Sequence, residues 1–203
     1  GNVETIGKAA FSGCTSLSDV TILDGVKSID NYAFARCTQL KNLVLPNSID
    51  SIGDYAFFGC SMLSDIQIPR ALKNFGGYVL EGTQWMQNQQ QDCVIVGDGI
   101  LIKYSGSASS KALPKQVKII GNYAFAGNNS ITTVLIPSTV TAIEQSAFEN
   151  CTRLEYVDIP SSVLSIGKRA FFFFYSLNDV TLPASMPKID ESIFVCCSSL
   201  TMI

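Results

Sequence analysis

Residues 143–163 read IEQSAFENCTRLEYVDIPSSV, and almost every other segment of the chain is a copy of this unit. The pattern recurs in steps of 23 residues, as from Ile6 to Ile29, with one interruption before Ile120. Regular copies begin at Ile6, Ile29, Ile52, Ile120, Ile143, Ile166 and Ile189. Self-similarity at a period of this length is the sequence signature of a solenoid, in which each coil lies on the next.

Apolar residues fall into columns when the copies are aligned, with positions counted from the opening isoleucine. The most uniform column holds phenylalanine at +5, and the interrupted copy has Leu80 there. Its other members are Phe11, Phe34, Phe57, Phe125, Phe148, Phe171 and Phe194. Further columns hold aliphatic residues at +11, +14 and +16. One short coil cannot bury these side chains alone, so we expect each coil to pack on its neighbours.

The second half of each copy predicts a short β-strand. Residues 157–159 alternate apolar and polar, which turns one face of a strand into the core. Pro160 follows directly, and proline has no N–H to donate to a further ladder bond. The AFxxC segment in the first half predicts a short helical or 3₁₀ turn, because its Ala, Phe and Cys can share one inward face.

The string IGxxAFxxCxxLxxVxIPxxV resembles the BspA-type leucine-rich repeat family of surface and secreted proteins from gut and oral bacteria and some parasitic protists. The resemblance covers about the whole chain except part of residues 76–112. It implies a right-handed β solenoid, commonly a binding or adhesion module, and brings no catalytic residues. We therefore predict one elongated leucine-rich repeat solenoid over residues 1–203, mainly β, with short strands joined by turns or by 3₁₀ or short helical segments.

Residues 76–112 are predicted to be an irregular insertion within this stack. Its glutamine-rich stretch favours a polar loop. Residues 93–96 and 100–104 are β-prone, and the glycine-rich residues between them favour a β-hairpin. Trp85 is the only tryptophan and is a candidate aromatic platform for a partner. The interpretation we favour is that Trp85, like Tyr104, fills the gap where the phenylalanine column is interrupted.

Composition and charge exclude several classes of protein. The net charge is −3 and there is no histidine, so nothing indicates a general affinity for nucleic acid. No apolar run approaches the ~18 residues that span a membrane. The chain opens on Gly1 inside a repeat without a signal peptide, so we expect a mature or trimmed fragment of a secreted or cell-surface protein.

The seven cysteines are predicted to be mainly packing residues. Five of them occupy the +8 position, namely Cys14, Cys37, Cys60, Cys151 and Cys197. Coils spaced ~4.8 Å apart would permit disulfides. However, Asn128 and Phe174 take the same place in their copies, which favours a column of free, buried thiols. Without histidine or a cysteine cluster the chain offers no zinc site, and no metal or cofactor is expected.

Catalysis is the least favoured function. The absence of histidine removes Ser-His and Cys-His nucleophilic pairs. Asp19 and Asp65 lie two coils apart, roughly 9 to 10 Å at normal strand spacing, which leaves a carboxylate-based glycosidase as a weak alternative. Such a row lies on an open surface without a pocket that excludes water, so we predict that the protein is not an enzyme.

The outward-facing strand residues at +13 and +15 form the predicted binding surface. Solenoids use such extended faces to hold partners. Together with Trp85, the candidate partner-binding residues are Asp19, Asn42, Asp65, Gln67, Tyr156, Asp158 and Asp179. This mixture of acids, amides and tyrosine suits a protein or a glycan. The alternatives are ordinary soluble side chains on a regular sheet, or an array of repeats that acts only as a structural spacer.

A run of aromatic residues marks the copy that begins at Ile166. The segment RAFFFFYSL places Phe172, Phe173 and Tyr175 beside the column residue Phe171. Two of these at most can point inward, so we expect at least one aromatic ring to be exposed. This is the best local indication of a partner surface in the sequence, although an overfilled coil would explain it equally well.

Overall fold

A computed structural model describes residues 3–178, 180–184, 186, 189 and 192–201. The chain divides into two compact units, the first made of residues 1–90 and 96–98 and the second of residues 91–95 and 99–203. Both units consist of short parallel strands and turns repeated coil after coil, which confirms the predicted fold class of a mainly β leucine-rich repeat solenoid. That residues 1–203 form a single domain stays a prediction.

The first unit contains six strands and one short helix. The strands are β1 (Thr5–Ile6), β2 (Ser28–Ile29), β3 (Asn42–Val44), β4 (Ser51–Ile52), β5 (Asp65–Gln67) and β6 (Asn74–Phe75). Strands β1, β2, β4 and β6 pair in this order in one parallel sheet, and β3 pairs with β5 in another. Ile6, Ile29, Ile52 and Phe75 are partners in successive strands, so the register between coils is one sequence repeat.

The helix α1 (Gln84–Gln87) begins after Thr83, whose side chain accepts a hydrogen bond from the Met86 N–H at 3.1 Å. Threonine is a favoured N-cap because its oxygen satisfies an otherwise unpaired amide. The composition of this glutamine-rich stretch predicts a polar loop, and it does not reveal the single helical turn.

The second unit continues the same architecture. Its strands are β7 (Cys93–Val96, of which 93–95 belong to this unit), β8 (Ile100–Tyr104), β9 (Ser110–Ala112), β10 (Ile119–Ile120), β11 (Thr133–Leu135), β12 (Ala142–Ile143), β13 (Tyr156–Asp158) and β14 (Ser165–Ile166). One sheet has the order β14-β12-β10-β8-β7 and the other the order β13-β11-β9. The two strands of the predicted hairpin are therefore β7 and β8, neighbours at one side of the first sheet.

The AFxxC segments form successive tight turns rather than 3₁₀ helices. In the Ile29 coil, the N–H groups of Ala33, Ala35 and Cys37 donate to carbonyls three residues back, at 3.0–3.2 Å. The N–H groups between them, of Tyr32, Phe34 and Arg36, donate to carbonyls of the next coil at 2.7–2.9 Å. Alternate amides thus close the turn and join the coils.

This alternation requires a left-handed backbone at two positions of each coil. The residues at +3 and +7 have φ near +60° throughout, for example Tyr32 (φ 61) and Arg36 (φ 61). A 3₁₀ helix has negative φ at every residue, so the two positive angles explain why the segment is a set of turns. Glycine adopts this conformation most easily, and it occupies +7 in several coils, namely at Gly13, Gly59, Gly82 and Gly127.

The core is a column of stacked aromatic rings in each unit. In the first unit Phe34 lies between Phe11 and Phe57, with ring centroids 5.1 and 5.5 Å apart. In the second unit the column comprises Tyr104, Phe125, Phe148, Phe171 and Phe194, with successive centroids 4.7–5.5 Å apart. Tyr104 therefore takes a place in the column within the irregular coil, which confirms the favoured interpretation of this residue.

The five cysteines at +8 are free thiols, of which Cys37, Cys60 and Cys151 are buried, Cys197 is half-buried and Cys14, contrary to the predicted buried column, is exposed. Cys37, Cys60, Cys151 and Cys197 each donate a hydrogen bond to the phenylalanine carbonyl of the preceding coil at 3.0–3.1 Å. Burial raises the pKa of the Cys60 and Cys151 thiols to about 12. These contacts agree with the predicted packing column.

Candidate binding site

The strand face of the first unit carries two short rows of exposed side chains. Asp19 pairs with Asn42, and Asn42 with Asp65, so these three residues form one row across neighbouring coils. Val44 pairs with Gln67 in the second row. All five side chains are exposed, and Val44 is 61% exposed although it is apolar.

The strand face of the second unit has a different chemistry. Thr133 lies between Ser110 and Tyr156 in its first row. The second row contains Ala112, Leu135 and Asp158 in that order. Leu135 is 42% exposed and Tyr156 is 50% exposed. This face therefore offers two large apolar groups beside hydroxyls and one carboxylate.

Strand alternation fixes the direction of these side chains. In β13, Val157 is buried while Tyr156 and Asp158 are exposed, and the same pattern holds for Leu43 and Ile66 in β3 and β5. Successive residues of a strand point to opposite faces, so burying the central residue necessarily exposes the two that flank it. The residues of each exposed row are therefore determined by the column of buried residues that alternates with it along the strands.

The structure divides the predicted site residues into two groups. Asp19, Asn42, Asp65 and Gln67 lie together in the first unit, and Tyr156 and Asp158 lie together in the second. Asp179 lies outside the described residues.

Trp85 belongs to neither row. It is in α1, half-buried, and its backbone N–H donates to the Leu63 carbonyl at 2.7 Å. Its proposed role in binding stays a prediction.

The first unit presents mainly hydrogen-bond acceptors. Asp19 and Asp65 are carboxylates separated by the amide of Asn42, and Asp19 accepts a hydrogen bond from the Ser18 hydroxyl at 2.6 Å. The two aspartates are two strand spacings apart, roughly 9 to 10 Å. This arrangement suits a partner that supplies several N–H or O–H donors along the row.

A second exposed feature of the first unit was missed by the sequence analysis. Tyr32, Tyr55 and Tyr78 occupy +3 in consecutive coils, and their rings stack with centroids 4.9 and 5.4 Å apart. The edge of Phe58 packs against Tyr55 at 5.6 Å. The sequence does indicate this stack, because a tyrosine follows Ile29, Ile52 and Phe75 by three residues in each case. Position +3 lies outside the apolar columns from which the core was predicted.

One polar cluster lies in the irregular coil of the second unit. Lys111 is the partner of Val134, so a lysine takes a core position there. Its ammonium group lies 3.4 Å from an Asp92 carboxylate oxygen and 5.7 Å from the centroid of the Tyr104 ring. The Tyr104 hydroxyl is buried without a hydrogen-bond partner among the described residues.

The described part of the chain contains no group of three or more side chains suited to holding a metal ion. In the same residues, no helix combines the length and apolar character needed to cross a membrane.

Comparison with known proteins identifies the class of protein. A family model for the BspA type leucine-rich repeat region matches six copies over residues 1–92 and 102–203. The chain therefore belongs to the BspA-type leucine-rich repeat family, a family of bacterial surface proteins. A search of curated proteins finds no significant match.

Solved structures of leucine-rich repeat proteins share the fold. A protein from Bacteroides ovatus is 28% identical, with a TM-score of 0.50 over 96% of this chain and 56% of its own. The pneumococcal vaccine antigen PcpA is 20% identical, with a TM-score of 0.50 over 80% of this chain and 49% of its own. A protein from Eubacterium ventriosum is 20% identical, with a TM-score of 0.50 over 98% of this chain and 69% of its own. The chain thus spans about half the length of the first two.

Proposed function

We propose that the chain is an extracellular recognition module that binds a protein partner through its exposed strand rows. The observation that carries this proposal is the exposure of Leu135 and Tyr156 beside Asp158 on one regular surface. Tyrosine is enriched among the residues that dominate binding energy, because its ring buries a large area and its hydroxyl forms a hydrogen bond.

The rows of the first unit support a second contact region with acidic and amide groups. Asp19, Asn42 and Asp65 would contribute hydrogen bonds and orientation, while Val44 would supply apolar area. Repeat proteins commonly bind through extended surfaces of this kind. Membership of a bacterial surface protein family supports a secreted or cell-surface location, where such a module would act in adhesion.

Binding assays with matched variants test the proposal. The purified chain is tested by pull-down against host extracellular-matrix proteins and bacterial surface glycans, together with a variant in which Asp65, Tyr156 and Asp158 are replaced by serine. We expect the wild type to retain at least one of these proteins and the triple variant to lose it. Leu164→Ser is the control, since Leu164 is 57% exposed but is not in a strand row.

Three other outcomes assign a different function. Retention of a glycan alone, lost in the triple variant, would replace the protein partner by a carbohydrate. The absence of any binding at micromolar concentration would favour the structural spacer. Glycan hydrolysis that is lost in Asp19→Asn or Asp65→Asn would overturn our proposal that the row of carboxylates binds and does not catalyse.

A further inference from the structure

The coil that begins at Ile166 exposes a cluster of aromatic side chains away from the strand rows. Phe171 and Phe174 are fully buried, whereas Phe173 is 36% exposed and Tyr175 is 51% exposed, as predicted from the run of aromatic residues. The Phe172 and Phe173 rings lie 4.1 Å apart, and Phe173 and Tyr175 lie 6.4 Å apart. Phe172, Phe173 and Tyr175 are called the aromatic patch below.

Comparison with the other copies shows that the patch is a departure from the repeat. Position +7 is glycine in several coils, and Phe173 holds the same left-handed backbone with φ 61. Position +9 is a small hydroxyl residue in most copies, where this coil has Tyr175. Those residues are Thr15, Thr38, Ser61, Thr152 and Ser198. The fold thus needs neither a bulky residue at +7 nor an aromatic residue at +9.

Phe173 carries a bulky side chain in this left-handed conformation, as Arg36 does at the same position of another coil. A bulky L-residue is disfavoured at positive φ because its Cβ crowds the backbone. Phe173 gains no full burial in return, since more than a third of its surface stays exposed. Packing in the core therefore does not account for this ring, which is available for contact with another molecule.

Positive charge borders the patch. The Arg169 guanidinium lies 4.9 Å from the centroid of the Phe172 ring, a cation–π contact. On the other side, the Ser176 hydroxyl donates to the Thr152 carbonyl at 2.9 Å, which brings the coil of Arg153 next to Tyr175. Within the described part of the chain, neither arginine forms an ion pair.

Cations stand beside the patch although the net charge of the chain is −3. The Asn150 N–H donates a hydrogen bond to the Phe172 carbonyl at 2.9 Å, so the preceding coil runs beside the patch at this point. Glu149 is the residue before Asn150 in that coil. Arg169 therefore lies against the patch, and Arg153 and Glu149 belong to the preceding coil that borders it. A surface with this composition is complementary to a segment that carries carboxylates on either side of an apolar residue.

We propose that the aromatic patch is a second binding surface, which holds an acidic segment of a protein partner. An apolar side chain of that segment lies between Phe173 and Tyr175, and its carboxylates pair with Arg153 and Arg169. Arginine pairs with carboxylates through two parallel hydrogen bonds, which fixes the orientation of the segment. This surface is separate from the strand rows on which the proposed function rests.

A defined peptide tests the proposal. The probe is a short fluorescein-labelled peptide in which aspartate alternates with leucine and phenylalanine, and binding to the whole chain is followed by fluorescence anisotropy. We expect saturable binding that weakens with salt, because the carboxylate–arginine contacts are partly exposed. Replacing the aspartates by lysine, or the apolar residues by serine, should weaken binding by about tenfold or more.

Variants that take their residues from other copies of the repeat keep the fold while removing the patch. Phe173→Gly and Tyr175→Ser restore residue types that other copies carry at these positions, and Arg169→Ser does the same, since +3 is serine at Ser146 and Ser192. Each should weaken binding of the acidic peptide by about fivefold or more. Tyr156→Ser, on the strand face of the same unit, is the matched control and should bind like the wild type.

Three results would overturn the proposal. The first is equal binding of the lysine peptide, and the second is unchanged binding by the patch variants. The third is a concentration-dependent dimer in light scattering that Phe173→Gly converts to a monomer, which would assign the patch to contact between two copies of the chain. The two proposals are tested separately. The variant with serine at positions 65, 156 and 158 should lose binding to extracellular-matrix proteins, as the proposed function requires, and should still bind the acidic peptide.

Discussion

Glu144 provides a test of burial at the scale of a single residue. Its carboxyl group is half-buried at +1 of the Ile143 coil, and burial raises its pKa above the ordinary value. A raised pKa in the folded state means that folding favours the protonated acid. This contribution to stability is present in full below the pKa of the unfolded chain and is lost as the pH rises through the folded-state pKa.

We therefore predict that Glu144→Gln stabilises the protein at pH 7 but not at pH 4. The variant lacks the charge whose burial is unfavourable at neutral pH. Urea denaturation of both proteins at the two pH values checks this. The control is Glu155→Gln in the same coil, where the side chain is exposed. A difference between wild type and Glu144→Gln that does not change with pH would contradict the assignment.

The cysteines should differ in reactivity according to their position in the coil. A thiol reacts as the thiolate, so the raised pKa of about 12 at Cys60 and Cys151 makes both inert at pH 8. Cys14 and Cys196 are exposed. We predict that iodoacetamide labels Cys14 and Cys196 in the native protein, and Cys60 and Cys151 only after denaturation, as measured by peptide mass spectrometry. Rapid labelling of Cys151 in the native state would contradict the buried packing column.

At the scale of the turn, close contact between coils explains the glycine at +1 of the Ile52 copy, a position that Asp30 and Glu144 occupy in other copies. A Cβ on Gly53 would lie 2.5 Å from the backbone nitrogen of Asn31 and 2.8 Å from the carbonyl carbon of Asp30. A contact this short forces the backbone of one coil to move. The Asn31 side chain also joins these two coils, because its oxygen accepts a hydrogen bond from the Asp54 N–H at 2.9 Å.

We predict that Gly53→Ala destabilises the first unit by roughly 1 to 3 kcal/mol, the usual range for an overpacked site. Gly7→Ala is a matched control at the same position of another coil, where a Cβ would meet nothing within 4 Å. Thermal or urea denaturation of the two variants measures the difference. Equal stability of both variants would show that the coils move apart freely at this junction.

The strands of the regular copies and the two hairpin strands β7 and β8 could be predicted from the sequence, whereas the pairing of the irregular coil with the next coil could not, for a reason of register. Val157 and its flanking residues repeat at a constant interval, so their direction follows from alternation alone. In the irregular coil the offset to the next coil changes, from 19 residues between Leu101 and Ile120 to 23 between Lys111 and Val134. A search of the sequence for a constant interval of 23 residues therefore does not find the pairing of such a coil.

The candidate site was predictable only in part. The strand rows followed from the repeat, but the division of their residues between two units did not, because it depends on how contacts cluster within the folded chain. The stack of Tyr32, Tyr55 and Tyr78 depends on a left-handed backbone at +3, which no apolar pattern reveals. The cation–π contact between Arg169 and Phe172 likewise depends on side-chain direction.

At the scale of a whole unit, each coil is stabilised mainly by its neighbours. Phe148 is fully buried and stacks on Phe125 at 4.7 Å and on Phe171 at 5.4 Å. The stability of such an array is close to a sum over coils and the interfaces between them. Damage to one ring should therefore weaken two interfaces.

We predict that Phe148→Ala costs roughly 3 to 5 kcal/mol, as large-to-small changes in a core do. The loss should spread beyond its own coil, so amide hydrogen exchange should accelerate in the flanking coils around Phe125 and Phe171. Phe148→Leu keeps most of the volume and serves as the control. A loss of less than about 1 kcal/mol would be inconsistent with the aromatic column.

The alternating amide bonds of the turns have a consequence for how such a chain changes length. In the regular coils these bonds join the same pair of positions each time, as from the +3 N–H to the +2 carbonyl of the next coil, so the loss of one complete copy leaves each remaining donor opposite a matching acceptor. Removal of residues 30–52, for example, would join Ile29 directly to Gly53 and restore the IG junction of a normal copy. In-frame duplication or deletion of whole copies therefore preserves the hydrogen-bond pattern between coils, and it supplies a simple genetic route by which such a protein gains or loses binding surface.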